Sequence, residues 1–576
     1  MKEMKLKNKD IRLGKIKSKV LATMKKFEKK NIIKRIWEKD HTVWKKDEKY
    51  SSLILNRLGW LSLPYTMTNN VYEINEFTKE VIADGFTEAV LLGMGGSSMG
   101  PEVLSNVFGT ARGYLKLRVL DTTDPSAVSR ISQSIDLQKT LFIVSSKSGS
   151  TIEVDSMFRY FFGMLNDAGT KEPGRHFVAI TDSGTVLQTL AQENGFRKVF
   201  TNPSDIGGRY SVLSYFGLVP ASLMGIDLIE FLRNAGNMMN MCSNLDPSQN
   251  PGVLIGIITG IAALDGRDKL TLTYTNELKS FGYWLEQLVA ESTGKEKKGI
   301  LPVEGEMPDK PAVYGRDRIF VTTFLSKDLK LKKKVSSLAR KGFPSINIML
   351  TDKYDVAGQF YLWEFATAVM GVLLGINPFD EPNVKESKDN TTRVLNDFGK
   401  NGKLPEEKPT VKEGPIGITA LLKPAKSRPK SKKLMNSRDL LKAFFAGKVK
   451  GDYCALMAYI EGSKTNIKQL NRIRELIKVS KRSAVTAGLG PRLLHSTRQY
   501  HKGGPNTGLF IQFVTGDKFD IGIPGRSYSF ATLKNAQAIG DYEALQKWNR
   551  RVLRVSLGEN TEKGLRKFYD CLKKAI

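Results

Sequence analysis

The strongest constraint on the fold is a series of short, almost uninterrupted apolar runs, each followed by a Gly, Ser or Thr turn and then an amphipathic stretch. The runs are EAVLLG (88–93), LRVLDT (117–122), TLFIVSS (140–146) and HFVAITD (176–182). Strands of a parallel sheet that is covered on both faces are apolar at nearly every position. Their alternation with helical blocks predicts a doubly wound α/β sandwich.

A second group of runs predicts another α/β unit. It opens with a buried helix near 252–266 and continues through the strand-like runs LTLTYT (270–275), RIFVTTFL (318–325) and SINIMLTD (345–352). After a helical stretch at 438–480, strands are expected at AVTAG (484–488) and GLFIQFVTG (508–516), followed by a basic C-terminal helix. We expect this last part to complete the second sheet. The predicted fold class is therefore α/β, with two doubly wound parallel-sheet sandwiches.

The predicted domain organisation has five parts. Residues 400–437 are rich in Pro, Lys and Ser with few large apolar residues, which is typical of a linker or an exposed insertion. The parts are a basic N-terminal arm (1–50), a first domain (51–235), the first part of a second domain (236–399), the linker (400–437), and the second part of that domain with the C-terminal helix (438–576).

Two stretches of 50 residues carry most of the excess positive charge of +30. Residues 1–50 hold 18 Lys and Arg against 7 Asp and Glu, and residues 401–450 hold 13 against 4. A basic arm can bind nucleic acid or an anionic surface. A solvated helix face explains the lysines better, and the sequence shows no zinc finger and no RNA-binding signature. Nucleic acid is not expected as a partner, although a nucleic-acid-associated protein that uses residues 1–50 stays a rival hypothesis.

Neither a disulfide framework nor a structural metal is expected. The three cysteines, at 242, 454 and 571, are far apart, and the four histidines lie far from any cysteine pair. The longest apolar run, Val253–Leu264, is shorter than the roughly 20 residues of a membrane span. The N-terminal residues lack the apolar segment of a secretory signal. We expect a cytoplasmic protein without membrane contact.

Two glycine- and hydroxyl-rich segments follow predicted strands. In Gly93–Pro101 (GMGGSSMGP) the glycines would let the backbone approach a ligand, and the following helix N-terminus favours an anion. Tight packing of the strand on the helix explains this turn equally well. Ser145–Glu153 (SSKSGSTIE) combines five hydroxyls, one ammonium group and helix-start amides, which predicts a phosphate site rather than an elaborate helix cap.

Two further segments contain candidate catalytic groups. Ile206–Ser214 (IGGRYSVLS) places an arginine in a Gly-rich turn, where a surface arginine is the alternative. Glu291–Lys295 (ESTGK) ends an aromatic, amphipathic helix. A carboxylate on an apolar helix face can have its pKa raised by desolvation, which suits a general base near neutral pH. From composition alone, a capping or salt-bridged glutamate is the alternative.

Taken together and in this order, the four motifs resemble those of the sugar isomerase fold and, within it, the glucose-6-phosphate isomerase family. NRLGWL (56–61), NPFDEPNVKESKDNT (377–391) and LLHSTRQYHKGGPNTGLF (493–510) are most similar to the isomerase half of bifunctional transaldolase/glucose-6-phosphate isomerases. The resemblance implies interconversion of glucose 6-phosphate and fructose 6-phosphate through ring opening and a cis-enediol, without a metal or nicotinamide cofactor. It also implies a homodimer.

The resemblance further implies roles for individual residues. Glu291 would move the proton between C2 and C1, Arg209 would stabilise the enediolate, and Lys388 and His495 would assist ring opening. The residues implied in substrate binding share the strand-to-helix loops or the 377–391 segment, and they are Gly96, Ser97, Ser146, Lys147, Ser148, Thr151 and Glu381.

Three departures from the family pattern affect this assignment. Glu381 replaces a glutamine, which should repel an anionic substrate unless Lys388 or Lys385 neutralises it. Arg498 replaces a glycine, and the histidine segment follows the lysine segment instead of preceding it. A histidine packed in a loop is therefore an alternative for His495, and His501 is the substitute candidate. The first two departures also motivate a rival function, a sugar-phosphate-binding regulator without turnover.

Overall fold

A computed structural model describes residues 10–325, 329–420 and 436–576. The described residues form two compact units. The first contains the chain up to Asp121, Ile131–Asp309 and Asp317–Glu381, and the second contains Thr122–Arg130, Lys310–Arg316 and the described part of Pro382–Ile576. The predicted boundary near 235 does not separate the two units, because a single helix runs from Leu228 to Cys242.

The strands, numbered in chain order, form three sheets. They are β1 (Ile11–Arg12), β2 (Glu88–Gly93), β3 (Lys116–Leu120), β4 (Thr140–Ser145), β5 (Phe177–Asp182), β6 (Lys198–Asn202), β7 (Lys269–Tyr274), β8 (Leu301–Val303), β9 (Arg318–Leu325), β10 (Ser345–Leu350), β11 (Val411–Glu413), β12 (Ile416–Ala420), β13 (Tyr453–Tyr459), β14 (Ala484–Leu489), β15 (Gly508–Val514) and β16 (Arg551–Ser556).

The helices alternate with these strands along most of the chain. They are α1 (Lys17–Lys29), α2 (Ile32–Trp37), α3 (Ser51–Leu55), α4 (Leu63–Thr66), α5 (Val71–Ala83), α6 (Gly96–Phe108), α7 (Pro125–Ser132), α8 (Ile152–Asp167), α9 (Val186–Glu193), α10 (Tyr215–Leu223), α11 (Leu228–Cys242), α12 (Pro251–Leu264), α13 (Lys279–Thr293), α14 (Leu329–Arg340), α15 (Asp355–Leu374), α16 (Val384–Asn401), α17 (Ser437–Ala446), α18 (Lys464–Lys481), α19 (Arg498–Gly503), α20 (Phe530–Lys547) and α21 (Thr561–Ala575).

The first sheet has the order β3-β2-β4-β5-β6 and all its pairs are parallel. After β2 the chain adds β3 on one side, and then crosses to add β4 on the other side. This reversal places a topological switch point between β2 and β4. At such a point the loops that follow the two strands diverge and leave a crevice at the carboxyl ends of the strands. Gly93, at the end of β2, is paired with Ser145, at the end of β4. The two predicted ligand loops therefore start side by side.

The second sheet of the first unit has the order β1-β10-β9-β7-β8 and is parallel except for the edge strand β1. The pairing of β1 with β10 makes the described N-terminal residues part of the unit, in contrast to the predicted arm. Ile16, Val20, Phe27 and Trp44 are buried in its core. The first three recur at helical spacing, so α1 turns an apolar stripe inward and leaves its lysines in solvent.

Helices α12 and α15 pack closely in the core of the first unit. A Cβ on Gly256 would lie 2.7 Å from the carbonyl oxygen of Ala366, so the glycine permits the close approach of the two backbones. Helix α15 is long and apolar enough to cross a membrane, but 89% of its most apolar window is buried inside the protein. We therefore interpret α15 as a core helix.

The second unit contains a six-stranded sheet of its own, with the order β11-β12-β16-β15-β13-β14. The α/β class with mainly parallel strands is confirmed, but the described residues form three sheets, because β13–β16 do not join the second sheet. Strands β11 and β12 lie within the predicted linker, where Val411, Ile416 and Ile418 are buried against this sheet. Residues 421–435 of that linker lie outside the described residues.

Candidate functional site

Two loops flank the switch point of the first sheet. The loop after β2 leads into α6, and the loop after β4 leads into α8. The Ser145 hydroxyl donates to the Ser97 carbonyl at 3.1 Å, which ties the two loops together. Ser97 is itself buried, at 7% exposure, and Gly96 is the first residue of α6. Gly96 and Ser97 therefore lie where the sequence predicts a ligand to approach.

The loop after β4 presents hydroxyls at the N-terminus of α8. The Ser146 and Thr151 hydroxyls are 3.1 Å apart, and those of Ser148 and Ser150 are 3.2 Å apart. Gly149 has a φ of +67° in the turn that brings them together. Thr151 is the N-cap of α8 but its side chain does not cap the helix. Hydroxyls and first-turn amides thus face the same region, as an anion site at a helix N-terminus requires.

Lys147, in the same loop, is bound to the protein. Its Nζ donates to the Asp182 carboxylate and, at 3.2 Å, to the Ser204 carbonyl. Burial raises the pKa of Asp182 although Lys147 opposes that shift. Any contact between Lys147 and a phosphate would therefore compete with an ion pair.

Arg209 lies in a short 3-10 turn, Gly208–Tyr210, after β6. This turn is pressed against the start of α6, because a Cβ on Gly96 would lie 2.0 Å from the Gly208 carbonyl oxygen. From the other side, the Gly59 amide of the NRLGWL segment donates to the Asp205 carbonyl at 2.9 Å. The loop after β2 and the arginine turn are therefore held at a fixed separation.

The Arg209 guanidinium is 3% exposed and almost fully hydrogen-bonded. Its Nε donates to the Ser292 hydroxyl at 2.7 Å, and its Nη2 donates to the Pro378 and Asp380 carbonyls, both at 2.9 Å. Its Nη1 donates to Glu381 Oε2 at 2.9 Å. A guanidinium has five N–H groups. Among the described residues, these contacts engage four of them and leave one hydrogen of Nη1 for a ligand.

Glu291 is close to that remaining donor. Its Oε2 lies 3.8 Å from Arg209 Nη1 and accepts a hydrogen bond from Gln287 Nε2, one helical turn earlier on α13, at 3.1 Å. Burial lowers the pKa of Arg209, but Glu291 and Glu381 outweigh burial, so the pKa is raised and the guanidinium is charged. A carboxylate and a charged N–H donor therefore stand side by side in a buried position.

Lys295 holds the backbone segment that binds Arg209. Its Nζ donates to the Asn377 carbonyl at 2.7 Å, to the Asp380 carbonyl and, at 2.6 Å, to the Asp380 carboxylate. Burial lowers the pKa of Lys295 to about 8, with Asp380 opposing the shift. Because all three ammonium hydrogens contact this segment, Lys295 fixes the carbonyls of Pro378 and Asp380 that Arg209 uses.

The other predicted catalytic residues belong to the second unit. Lys388 lies on α16 with an exposed side chain, and His495 is half-buried at the end of a 3-10 turn, Arg492–His495. Arg498 is buried, with its Nε 3.8 Å from Asp541 Oδ1. His501 packs on the Phe510 ring with centroids 5.0 Å apart, and burial lowers its pKa to about 3. This environment gives His501 the properties of a packed core histidine.

Among the described residues, no three His, Cys, Asp or Glu side chains are grouped so that they could hold a metal ion. The chemistry available in the first unit is that of one buried carboxylate beside one charged N–H donor, with a hydroxyl-rich loop at a helix N-terminus nearby. Proton transfer next to a developing negative charge on oxygen is the reaction type that these groups support.

Residues 71–305 match the family model of phosphoglucose isomerase. The matched segment contains all four motifs. A probable glucose-6-phosphate isomerase of Methanococcus maripaludis is 27% identical over 368 residues, which cover 57% of this chain and 82% of that protein.

Two solved structures share the fold. A hypothetical protein from Thermus thermophilus superposes with a TM-score of 0.58 at 22% identity and covers 67% of this chain and 99% of its own. A glucose-6-phosphate isomerase from Chlamydia trachomatis superposes with a TM-score of 0.51 at 22% identity and covers 59% of this chain and 74% of its own. Both support the sugar isomerase fold predicted from the motifs.

Within the matched segment, the structure adds three residues to which the motifs alone assigned no role. Gln287 orients Glu291, Ser292 accepts from Arg209, and Lys295 anchors the 377–380 segment. Ser292 and Lys295 are part of the ESTGK motif, and Gln287 precedes Glu291 by one helical turn. A helical wheel of α13 would have identified Gln287, but no sequence pattern indicates which atoms Ser292 and Lys295 contact.

Proposed function

We propose that this chain is a glucose-6-phosphate isomerase, which interconverts glucose 6-phosphate and fructose 6-phosphate. The observation that carries the proposal is the pair formed by the buried Glu291 carboxylate and the remaining N–H of Arg209, 3.8 Å from Glu291 Oε2. Isomerisation of an open-chain sugar through an enediol needs one base for the proton and one fixed positive donor for the oxygen that gains charge.

In this proposal Glu291 removes the proton from C2 of the aldose, and the electron pair forms the double bond between C1 and C2. The negative charge that develops on the sugar oxygen is met by the free Nη1 hydrogen of Arg209. The proton of the C2 hydroxyl then passes to O1, and the negative charge moves to O2. The same carboxyl returns its proton to C1, and the C2–O bond becomes the carbonyl of the ketose. Because Arg209 is already fixed by Ser292 and by two carbonyls, little reorganisation is needed at the moment of reaction.

The phosphate group is assigned to the loop after β4. Ser146, Ser148 and Thr151 supply hydroxyl donors there, and the first turn of α8 supplies amides and the positive end of its dipole. A phosphate at this position would keep the sugar next to the turn that carries Arg209.

Several further assignments complete the proposal. Lys388 and His495 of the second unit assist ring opening by transferring protons at O5 and O1. The chain acts as a homodimer in the cytoplasm, and it corresponds to the isomerase half of the bifunctional transaldolase/glucose-6-phosphate isomerases. The roles of Lys388 and His495 rest on the resemblance of the 377–391 and 493–510 segments, and the homodimer rests on the family resemblance as a whole. The cytoplasm rests on the sequence pattern, which predicts neither a secretory signal nor a membrane span.

A coupled assay of the purified protein tests the function. Fructose 6-phosphate is supplied, and formation of glucose 6-phosphate is followed with and without a chelator. Turnover that resists the chelator supports a reaction without a dissociable metal. Thermal stabilisation by fructose 6-phosphate without any turnover would instead support the regulator hypothesis.

Substitution of the base gives the sharper test. Glu291→Gln should keep its melting temperature and its stabilisation by fructose 6-phosphate, but lose at least about 100-fold in kcat, because general-base catalysis typically contributes that much. Glu277→Gln is the matched control, since Glu277 is an exposed glutamate just before α13. Equal activity of the two variants would contradict the assignment of Glu291.

A further inference from the structure

Two carboxylates lie next to the Arg209 guanidinium, and they differ in their distance from it and in their exposure to solvent. Glu381 is in hydrogen-bonding contact with Nη1 at 2.9 Å, whereas Glu291 is 3.8 Å from the same nitrogen. The Glu381 side chain is 41% exposed and the Glu291 side chain is 11% exposed. Glu381, the more exposed of the two carboxylates, therefore lies closer to the guanidinium than Glu291 does.

This arrangement matters because a base and a cation placed side by side work against each other. An opposite charge within a few ångströms stabilises the ionised carboxylate and makes it a weaker base. Arg209 alone would have this effect on Glu291. A second carboxylate on the same guanidinium offsets the charge and restores the affinity of Glu291 for a proton.

We infer that Glu381 is an electrostatic positioning residue, which holds Arg209 and offsets its charge so that Glu291 stays basic enough to accept the substrate proton. This inference rests on the proposed isomerase function. It differs from the expectation that Glu381 binds the sugar, because its contact in the structure is with Arg209.

Among the described residues, the other groups around Arg209 and Glu291 do not offset the charge of Arg209. The charged and titratable groups that face it are Arg209 and Tyr210 from the turn after β6, Glu364 from α15, Lys295 after α13, Asp380 and Glu381 from the segment after α15, and Arg57 from the NRLGWL segment. Burial raises the pKa of Tyr210 and of Glu364 well above their usual ranges, so both are neutral near pH 7. Lys295 is matched by Asp380 at 2.6 Å.

Glu381 itself stays ionised. Burial raises its pKa, but Arg209 outweighs burial with help from Lys295 and Arg57, and the pKa lies below its usual range. Glu381 is therefore a permanent negative charge over the pH range in which an isomerase of this kind would be assayed. Its effect on Glu291 is then constant, and it can be removed by one substitution.

The test is the pH dependence of kcat/KM for the wild-type protein and three variants, measured from pH 5 to 9 in the coupled assay. Glu381→Gln keeps the shape of the side chain and removes the charge. We expect the acidic limb of its profile to move to lower pH by about one unit, the size of shift that an adjacent opposite charge gives a carboxylate. We also expect the plateau to fall several-fold, because a weaker base transfers the proton more slowly.

Two controls separate charge from structure. Glu381→Asp keeps the charge, so its acidic limb should coincide with that of the wild type. Glu88→Gln breaks another arginine–glutamate contact of the first unit, with Arg118 at 3.1 Å, at the opposite end of β2, and should leave the profile unchanged. Melting temperatures of all variants show that they fold.

Each outcome decides between the hypotheses. An acidic limb that stays in place in Glu381→Gln, or that moves equally in Glu381→Asp, overturns the electrostatic role of Glu381. If Glu381→Gln lowers the rate equally at every pH, the contact of Glu381 with Arg209 is merely structural, and the electrostatic role is also overturned. Absence of wild-type turnover across the whole pH range overturns the proposed function, and this inference with it.

Discussion

Gly96 is the residue whose substitution tests the site geometry most directly. Its missing side chain allows the start of α6 to touch the turn that carries Arg209. An alanine Cβ at this position would lie 2.0 Å from the Gly208 carbonyl oxygen and 2.9 Å from the Arg209 amide nitrogen. Ordinary van der Waals contacts of a Cβ begin at 3.4 Å, so the Gly208 carbonyl must retreat by about 1.4 Å. The displacement falls on backbone, which cannot rotate away as a flexible side chain can.

The expected effect of Gly96→Ala follows from this displacement. Misplacement of a catalytic group by about 1 Å can reduce the rate about 100-fold, which corresponds to about 2.7 kcal/mol in the activation free energy. Overpacking costs about 1–3 kcal/mol in the free energy of unfolding. We therefore expect kcat/KM for fructose 6-phosphate to fall about 100-fold while the protein still unfolds cooperatively. The measurements are the coupled assay and denaturant unfolding.

Gly208→Ala is the matched control for stability. Gly208 lies on the other side of the same contact, and a Cβ there would meet no atom within 4 Å. Its free energy of unfolding should stay within about 0.5 kcal/mol of the wild type, as for other substitutions that disturb no packing. If Gly96→Ala retained wild-type kcat/KM and stability, the close approach of α6 and the arginine turn would not position Arg209, and this reasoning would be refuted.

Two other substitutions probe the lysine behind the site and the phosphate loop. The pKa of Lys295 is about 8 in the folded protein, below the 10.5 of an exposed lysine, so between these pH values the unfolded chain binds more protons. The free energy of unfolding should therefore rise by up to about 3 kcal/mol from pH 8 to 10.5 relative to Lys295→Met, and parallel pH curves from denaturant unfolding would contradict this. Ser148→Ala should raise KM for fructose 6-phosphate about 10-fold or more with little change in kcat, since a hydrogen bond to a charged group contributes about 1.5–3 kcal/mol. An unchanged KM would remove Ser148 from the phosphate site.

Seven strands of the first unit could be predicted closely because each is a compact apolar run, whereas β1, β6 and β8 were not predicted. The predicted runs 140–146 and 318–325 correspond to β4 and β9 almost residue for residue. Burial on both faces leaves such a strand few polar positions, so the pattern can be read without knowledge of its neighbours.

Other elements could not be predicted in this way. Strand β13 (YCALMAY) was assigned to a helical stretch, because Ala, Leu and Met are good helix formers. Its pairing between β14 and β15 buries all seven residues, and this tertiary environment outweighs local propensity. The N-terminal region was misjudged because its charge was counted without regard to the spacing of Ile16, Val20 and Phe27.

The candidate site could likewise be predicted only in part. Motifs that combine side chains within one loop, such as the loop after β4, could be recognised from chemistry alone. The partners of Arg209 could not, because two of them are backbone carbonyls, of Pro378 and Asp380, about 170 residues further along the chain. Every residue has a backbone carbonyl, so the residue type does not indicate which carbonyls bind Arg209. Only the fold shows that this segment completes the arginine site.

The charge balance of the site has a consequence for how substrate is held. Arg209 and Lys295 face the carboxylates of Glu291, Glu381 and Asp380, so this cluster is not a positive funnel for a sugar phosphate. Lys147 is likewise matched by Asp182. Net charge therefore cannot supply the affinity for a phosphate dianion. We expect the affinity to come from directed donors, which are the hydroxyls of the loop after β4 and the amides at the start of α8, because these keep their dipoles whatever the charges around them. In the proposed function, such a site would bind phosphate at one end. It would leave the remaining Nη1 hydrogen of Arg209 for the oxygen that becomes charged only during the reaction, which is where binding energy lowers the barrier.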